Sequence, residues 1–254
     1  MRLLQKPQDI VGKFIRKRNF VDLCKSCDLA LDYNLNRDSF KILKDIFYSR
    51  CYSGYFPFYQ TATVLDIGAH KGYFSLFAAL HTNSDSNIIC MEPCEENYNV
   101  LVSNLKANNI QNVTPIKAGI AATNGTADMF VSRSWNNSLF KQYGEILNDT
   151  KAPQAVTIEV YSLREILDRY HLDHVDFMKL DCEGAEYPAL FGADAEALCR
   201  IRTISMEFHD IRDPRYTGLS VVEVLRDQGF SVAHFNYSPT NKNLNFGKIV
   251  ATRL

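Results

Sequence analysis

From Thr63 onward, short apolar runs that end at glycine or an acidic residue alternate with amphipathic stretches of helical length. Thr63–Ile67 leads into a helical pattern over about Tyr73–His81, and Asn87–Met91 into one over about Glu95–Asn108. Val175–Leu180 and Thr203–Phe208 are separated by another near Ala189–Leu198. A strand, a helix and a second strand in one sheet normally run parallel, because the helix carries the chain back to the same end. Val113–Ala118, Ala127–Ser132 and Ala155–Tyr161 add further strand patterns, with helices near Leu163–Tyr170 and Leu219–Gln228. The last two runs, Ser231–Phe235 and Lys248–Thr252, are joined by polar, Asn-rich residues and read as an antiparallel hairpin. The pattern predicts an α/β fold with a doubly wound, mostly parallel sheet closed by that hairpin.

Residues 1 to about 60 carry no glycine-rich loop and no strand pattern, and their apolar residues recur at helical intervals. They predict a helical N-terminal extension or cap (1–60) ahead of a ligand-binding domain (61–254). The aromatic run Cys51–Tyr59 could wall a pocket, and packing between the two is the favoured reading. Ser132–Pro153, which holds Trp135, interrupts the alternation and reads as a lid or as a surface excursion. Lysine plus arginine (28) nearly cancels aspartate plus glutamate (29), so the basic excess of a nucleic-acid binder is missing. The start, MRLLQKPQD, has no signal-like apolar run and no later stretch has spanning length, so the expectation is a soluble cytoplasmic protein without membrane contact. The 7 cysteines are an odd set scattered through the chain, which suits reduced thiols. Cys24 and Cys27 have zinc-ligand spacing but no partner pair, and no metal site is expected there.

Open parallel sheets bind ligands at the carboxyl ends of their strands. The first such end reads Asp66-Ile67-Gly68-Ala69-His70-Lys71-Gly72-Tyr73-Phe74. Gly68 and Gly72 allow a tight turn and a close approach of backbone to ligand. The spacing fits neither the dinucleotide fingerprint nor the phosphate loop, since His70 and Tyr73 stand where glycines would be needed and no Gly-Lys-Ser/Thr follows. Asp66 would repel a pyrophosphate and attract a cation such as an α-ammonium or a sulfonium, which favours S-adenosylmethionine over NAD or ATP. Glu92, in Met91-Glu92-Pro93, ends the next strand where an acid can take both ribose hydroxyls. Ala118 ends the third strand and could flank an adenine. A later strand ends in Lys179-Leu180-Asp181-Cys182-Glu183-Gly184-Ala185-Glu186, and helix capping by acids explains only part of that cluster. His209 closes the strand after it and is a candidate acid–base or metal-binding group.

DIGAHKGYF, MEP, MKLDCEGAEYPAL and MEFH together closely resemble the FkbM family of S-adenosylmethionine-dependent methyltransferases, from about Thr63 to His209. The resemblance implies the class I methyltransferase (Rossmann-like) fold and methylation of hydroxyls on sugars or natural products. Carried over by position, it implies that Asp66, Gly68, Gly72 and Glu92 hold the cofactor, with Asp181 beside the transferred methyl; Ala69, His70, Tyr73, Phe74, Pro93, Ala118 and Asp181 complete the candidate cofactor-binding residues. Family loops commonly carry Asn where His70 stands. The catalytic candidates are Asp181, His209, Lys179 and Glu183: His209 or Asp181 as general base, Lys179 orienting a carboxylate. Mg²⁺ held by Asp181 and its neighbours is the disfavoured alternative, because no D-x-D pair is present. No Asn/Asp-Pro-Pro-Tyr loop follows Leu180, which argues against N-methylation. The expected partner is a small hydroxylated molecule, with a homo-oligomer left open. The rival function is a non-catalytic S-adenosylmethionine-binding scaffold or regulator, which would not need the Asp181 cluster.

Overall fold

A computed structural model describes residues 29–31, 37–131, 137–142, 145, 154–209, 211–239 and 245–253. Arg16–Arg18, Cys24, Cys27, Trp135 and the helical pattern before Leu29 lie outside the described residues. In chain order the elements are α1 (Arg37–Leu43), a π-helical turn (Lys44–Tyr48), β1 (Thr63–Ile67), α2 (Tyr73–His81), β2 (Asn87–Met91) and α3 (Glu95–Ala107). Then come β3 (Val113–Ile116), β4 (Gly119–Ile120), β5 (Gly125–Val131), β6 (Gln154–Tyr161), α4 (Leu163–Arg169) and β7 (Phe177–Leu180). The chain finishes with α5 (Glu186–Phe191), α6 (Ala195–Cys199), β8 (Thr203–His209), α7 (Gly218–Asp227), β9 (Ser231–Phe235), β10 (Ser238–Pro239) and β11 (Asn245–Thr252).

The main sheet runs β10-β11-β8-β7-β1-β2-β3, with β9 also paired to β11. The strands from β8 to β3 are parallel, and β11 is antiparallel to both β8 and β9. The chain builds outward from β1 to β3 and later returns to β7 on the other side of β1. That reversal opens a crevice at the carboxyl ends of β1 and β7. Register then places chemistry: Asp66 lies beside Lys179, and Ile67 beside Leu180.

Strand alternation divides the core. Leu65, Ile67, Met178 and Leu180 face one layer, and Val64 and Phe177 face the other with Phe74 and Phe77 of α2. Leu29, Leu31, Leu43, Ile46, Tyr52 and Phe56 belong to that second layer, so the described part of the extension shares the core of the domain. Phe56 meets Phe177 edge-on with ring centroids 5.2 Å apart, and the Asn108 amide bonds both backbone groups of Ala30, at 2.8 and 2.6 Å.

Two expected elements differ. The pieces after β3 form a separate sheet, β4-β6-β5. Only Ile158 and Val160 of β6 are buried, and a strand this solvated suits an antiparallel pair better than the interior of a parallel sheet. The single helix expected near Ala189–Leu198 is two, α5 and α6. The chain turns at Gly192, where a Cβ would sit 2.5 Å from that of Ala122, and Asp194 restarts the helix by accepting from Ala197 N–H at 2.8 Å. Among the described residues, no helix is long and apolar enough to cross a membrane.

Candidate active site

The crevice is one continuous cleft of about 1300 Å³, its open mouth included. Its β1/β2 side is mostly backbone. Gly68 (φ +78°), His70 (+53°) and Gly72 (+80°) all adopt left-handed conformations, which folds the loop back on itself. The N–H groups of Gly68 and Ala69 both donate to Met91 O, at 3.1 and 2.8 Å, tying the loop to β2. A Cβ on Gly68 would lie 1.8 Å from the Asp181 carbonyl oxygen, so only glycine lets this loop touch the loop after β7.

Glu92, buried at the end of β2, accepts from His70 N–H at 2.8 Å and from Cys94 N–H at 2.9 Å. Burial nevertheless raises its carboxyl to about 6, against the opposing effect of those hydrogen bonds. Apolar side chains of Met91, Pro93, Ala118 and Ile120 line the cleft nearby. His70 is held edge-on to Tyr73, and its buried Nδ1 has no hydrogen-bond partner. Burial, then Lys71 and Lys179, push this imidazole down to about 4, so it is neutral.

The β7/β8 side is dense in charge. Lys179 is buried, lies 3.3 Å from Asp66 and donates to the Gly68 carbonyl at 2.6 Å. Burial opposes its charge, but Asp66 and then Asp181 hold it above the ordinary lysine range. Asp181 receives the Tyr52 hydroxyl at 2.6 Å. Burial would raise Asp181, yet Lys179, His209 and the Tyr52 hydroxyl together hold it below the usual carboxylate value. Glu183 is left-handed (φ +53°), and its carbonyl accepts from Ser138 Oγ at 2.6 Å. Glu186 accepts the N–H groups of Cys182 and Gly184, both at 2.7 Å, which shapes the turn into α5.

His209 Nδ1 lies 2.9 Å from Glu186, and its Nε2 is 3.7–3.9 Å from Glu183, Glu207 and Asp181. Burial works against the imidazolium, but Glu183 and Glu186 hold it well above the ordinary histidine value. The donor atoms of Asp181, Glu186 and His209 lie within 4.8 Å of one another. Each Glu186 oxygen accepts one backbone N–H, and Oε1 also meets His209 Nδ1.

Gly68, Ala69, His70, Tyr73, Phe74, Glu92, Pro93, Ala118, Lys179, Asp181 and Glu183 therefore line one cleft, as the strand-end argument expects. Asp66, Gly72 and His209 do not line it. Asp66, expected to meet a ligand cation, instead meets Lys179 and the Ser75 hydroxyl, the latter at 2.6 Å. Gly72 starts α2 and approaches Leu101, and His209 stands behind the carboxylates as a cation, a poor state for a general base. Tyr52, from the aromatic run that could wall a pocket, lines the cleft, as do Glu207 and Lys248, which were not singled out from sequence. Glu207 was within view, in the MEFH run, and Tyr52 in the aromatic run, whereas Lys248 carries no local signal.

A Gly-turn and a strand-end acid facing a charged cluster across the switch point of this sheet define a class I methyltransferase fold. The chain belongs to the family of the methyltransferase FkbM domain, which matches residues 66–232. Methyltransferase sdnD of Sordaria araneosa is 27% identical over 217 residues, covering 75% of this chain and 82% of that protein. The AMB antimetabolite synthetase AmbE of Pseudomonas aeruginosa is 25% identical over 238 residues, covering 79% of this chain but only 11% of that far longer protein. The precorrin-6y C5,15-methyltransferase of Geobacter metallireducens GS-15 superposes with a TM-score of 0.50 at 15% identity, covering 89% of this chain and 95% of that one.

Proposed function

We propose that this protein transfers a methyl group from S-adenosylmethionine to a hydroxyl of a small-molecule acceptor, a sugar or another natural product. The observation that carries the reading is the contact between the two halves of the cleft: the Gly68 turn abuts the backbone of Asp181. A ligand cradled by that turn would present its reactive end to Asp181. The cleft also fits the cofactor chemically. Glu92 offers carboxylate lone pairs for two ribose hydroxyls, the apolar wall of Met91, Pro93, Ala118 and Ile120 suits a base, and the buried His70 Nδ1 has no partner within the protein. When bound, the cofactor supplies a methyl group on a positively charged sulfur, open to displacement.

The chain's own task is to place an acceptor oxygen roughly 3–3.5 Å from the methyl carbon and in line with the bond that breaks. Asp181 accepts the hydrogen bond of the acceptor hydroxyl and takes its proton as the oxygen–carbon bond forms. Lys179 donates to the Gly68 carbonyl and faces Asp181 as a charge partner 3.9 Å away, so its cation links the two halves without a hydrogen bond to Asp181. His209, charged and buried, restrains Glu183 and Glu186 behind them. Cleft carboxylates at Asp181, Glu183 and Glu207 favour hydroxyl-rich, uncharged acceptors over phosphorylated or carboxylated ones. The test is transfer of tritium from methyl-labelled cofactor to a panel of sugars and hydroxylated natural products. Transfer by the wild type that disappears in Asp181→Asn supports the reading. Tight cofactor binding with no transfer to any class would replace it with a scaffold role.

A further inference from the structure

Two residues at the transfer end come from outside the matched family domain: Tyr52 precedes it and Lys248 follows it. Tyr52 reaches the site because of an irregularity in the backbone. The helix begun at Arg37 widens into the π-helical turn Lys44–Tyr48, and the Cys51 N–H reaches back to the Asp45 carbonyl at 3.0 Å. Arg50 then takes a left-handed conformation (φ +51°), and the chain enters the core at Tyr52. The ring meets Phe74 edge-on with centroids 5.7 Å apart. The Lys248 ammonium lies 5.0 Å and the Lys179 ammonium 5.5 Å from the ring centroid. At the tip of this clamped ring, the hydroxyl donates to Asp181 Oδ2 at 2.6 Å, a short bond of the charge-assisted kind.

We propose that Tyr52, held by Lys248 from the far end of the chain, is a positioning residue that fixes the Asp181 carboxylate so that its remaining lone pairs face the methyl acceptor. The inference rests on the methyl-transfer reading of the cleft and adds to it the residues that orient its central carboxylate. An aspartate side chain turns about two bonds, and a carboxylate that must meet an acceptor hydroxyl within a few tenths of an ångström needs its second oxygen fixed. Lys179 lies 3.9 Å from the same Oδ2 and His209 Nε2 3.9 Å from Oδ1, both beyond hydrogen-bond length. Tyr52 supplies the short, directional contact. It also makes the segment before β1 part of the working site, beyond its role in packing.

The test uses the full-length protein in three forms: wild type, Tyr52→Phe, which removes one oxygen and keeps the packed ring, and Lys248→Met. S-adenosylhomocysteine affinity is measured by calorimetry, and kcat and acceptor KM are measured on an acceptor returned by the tritium screen. The expected result for Tyr52→Phe is a kcat lowered about tenfold or more, with S-adenosylhomocysteine affinity and acceptor KM within about threefold. Lys248→Met is expected to lower kcat by a smaller factor of about three to five. Loss of the hydroxyl also moves the acid limb of the kcat profile to higher pH, because Asp181 loses a donor to its charged form; Lys179, His209, Lys248 and Glu207, which also face it, are unchanged in Tyr52→Phe. An unchanged kcat and pH limb overturn the proposal, as does a loss that falls equally on S-adenosylhomocysteine binding, which would mark Tyr52 as packing alone. Should the wild type bind S-adenosylhomocysteine but methylate nothing, the methyl-transfer reading fails. In that case ¹H NMR of the S-adenosylhomocysteine complex still judges the contact. A protected tyrosine hydroxyl proton, lost in Tyr52→Phe and shifted in Asp181→Asn, supports it, and its absence overturns it.

Discussion

The two ends of the cleft are built differently. The β1/β2 end relies on backbone: a left-handed turn at Gly68 and Gly72, two N–H groups on Met91 O, and one carboxylate, Glu92. The β7/β8 end relies on side chains drawn from positions between Tyr52 and Lys248. A turn made of backbone is set by local sequence and tolerates change poorly at its glycines. A cluster of charges is set by tertiary packing, and its partly exposed member Asp181 can be exchanged for its amide with less cost than its buried partners Lys179, Glu186 and His209. The difference teaches where binding and chemistry separate: changes at the first end should cost stability or affinity, and changes at the second should cost rate.

The harshest way to break the comparison is Gly68→Ala. Its Cβ would overlap the Asp181 carbonyl, 1.8 Å away, in a backbone conformation that alanine resists. The variant should lose more than about 4 kcal/mol in urea unfolding or fail to fold. Asp181→Asn should fold normally and lower kcat by about 10²–10⁴-fold in the tritium assay. Glu92 gives a pH test at the other end. Its carboxyl, raised to about 6 by burial, must ionise to accept two hydroxyls, so S-adenosylhomocysteine affinity should fall about tenfold per pH unit below that value. Calorimetry between pH 5 and 8 would show it, and a flat profile would remove Glu92 from the binding step. The same raised value means that Glu92 adds stability below its ordinary 4.5 that is lost as pH rises through about 6. The smallest effect belongs far from the cleft: Arg164→Ala, which breaks exposed pairs with Asp194 and Glu196, should change unfolding free energy by no more than about 1 kcal/mol and leave transfer unaltered.

The contrast also accounts for what the sequence disclosed. Strand ends Ile67, Met91 and Leu180 fall where apolar runs stop, and the parallel order follows from helices between them. Gly68 and Glu92 were legible because their chemistry is local to one turn and one strand end. Asp66 was legible as an important acid but not as the partner of Lys179, since that pairing comes from the register of β1 on β7. His209 stood out by type, yet its state depends on Glu183 and Glu186 meeting it across the turn before α5. Tyr52 lay within a run of aromatics that could wall a pocket or simply pack, and only the π-helical turn and the left-handed Arg50 bring its hydroxyl to Asp181. The β5–β6 pair sits in a separate sheet with β4, and its place there was not legible because alternation in the sequence does not say which sheet a half-exposed strand will join.

The most direct test of the account is calorimetric titration of the wild type, Glu92→Ala and Asp181→Asn with S-adenosylhomocysteine at pH 7.5. The account predicts binding by the wild type, a loss of tenfold or more in Glu92→Ala, and affinity within about threefold of wild type in Asp181→Asn. Equal binding by Glu92→Ala, or none by the folded wild type, would contradict it.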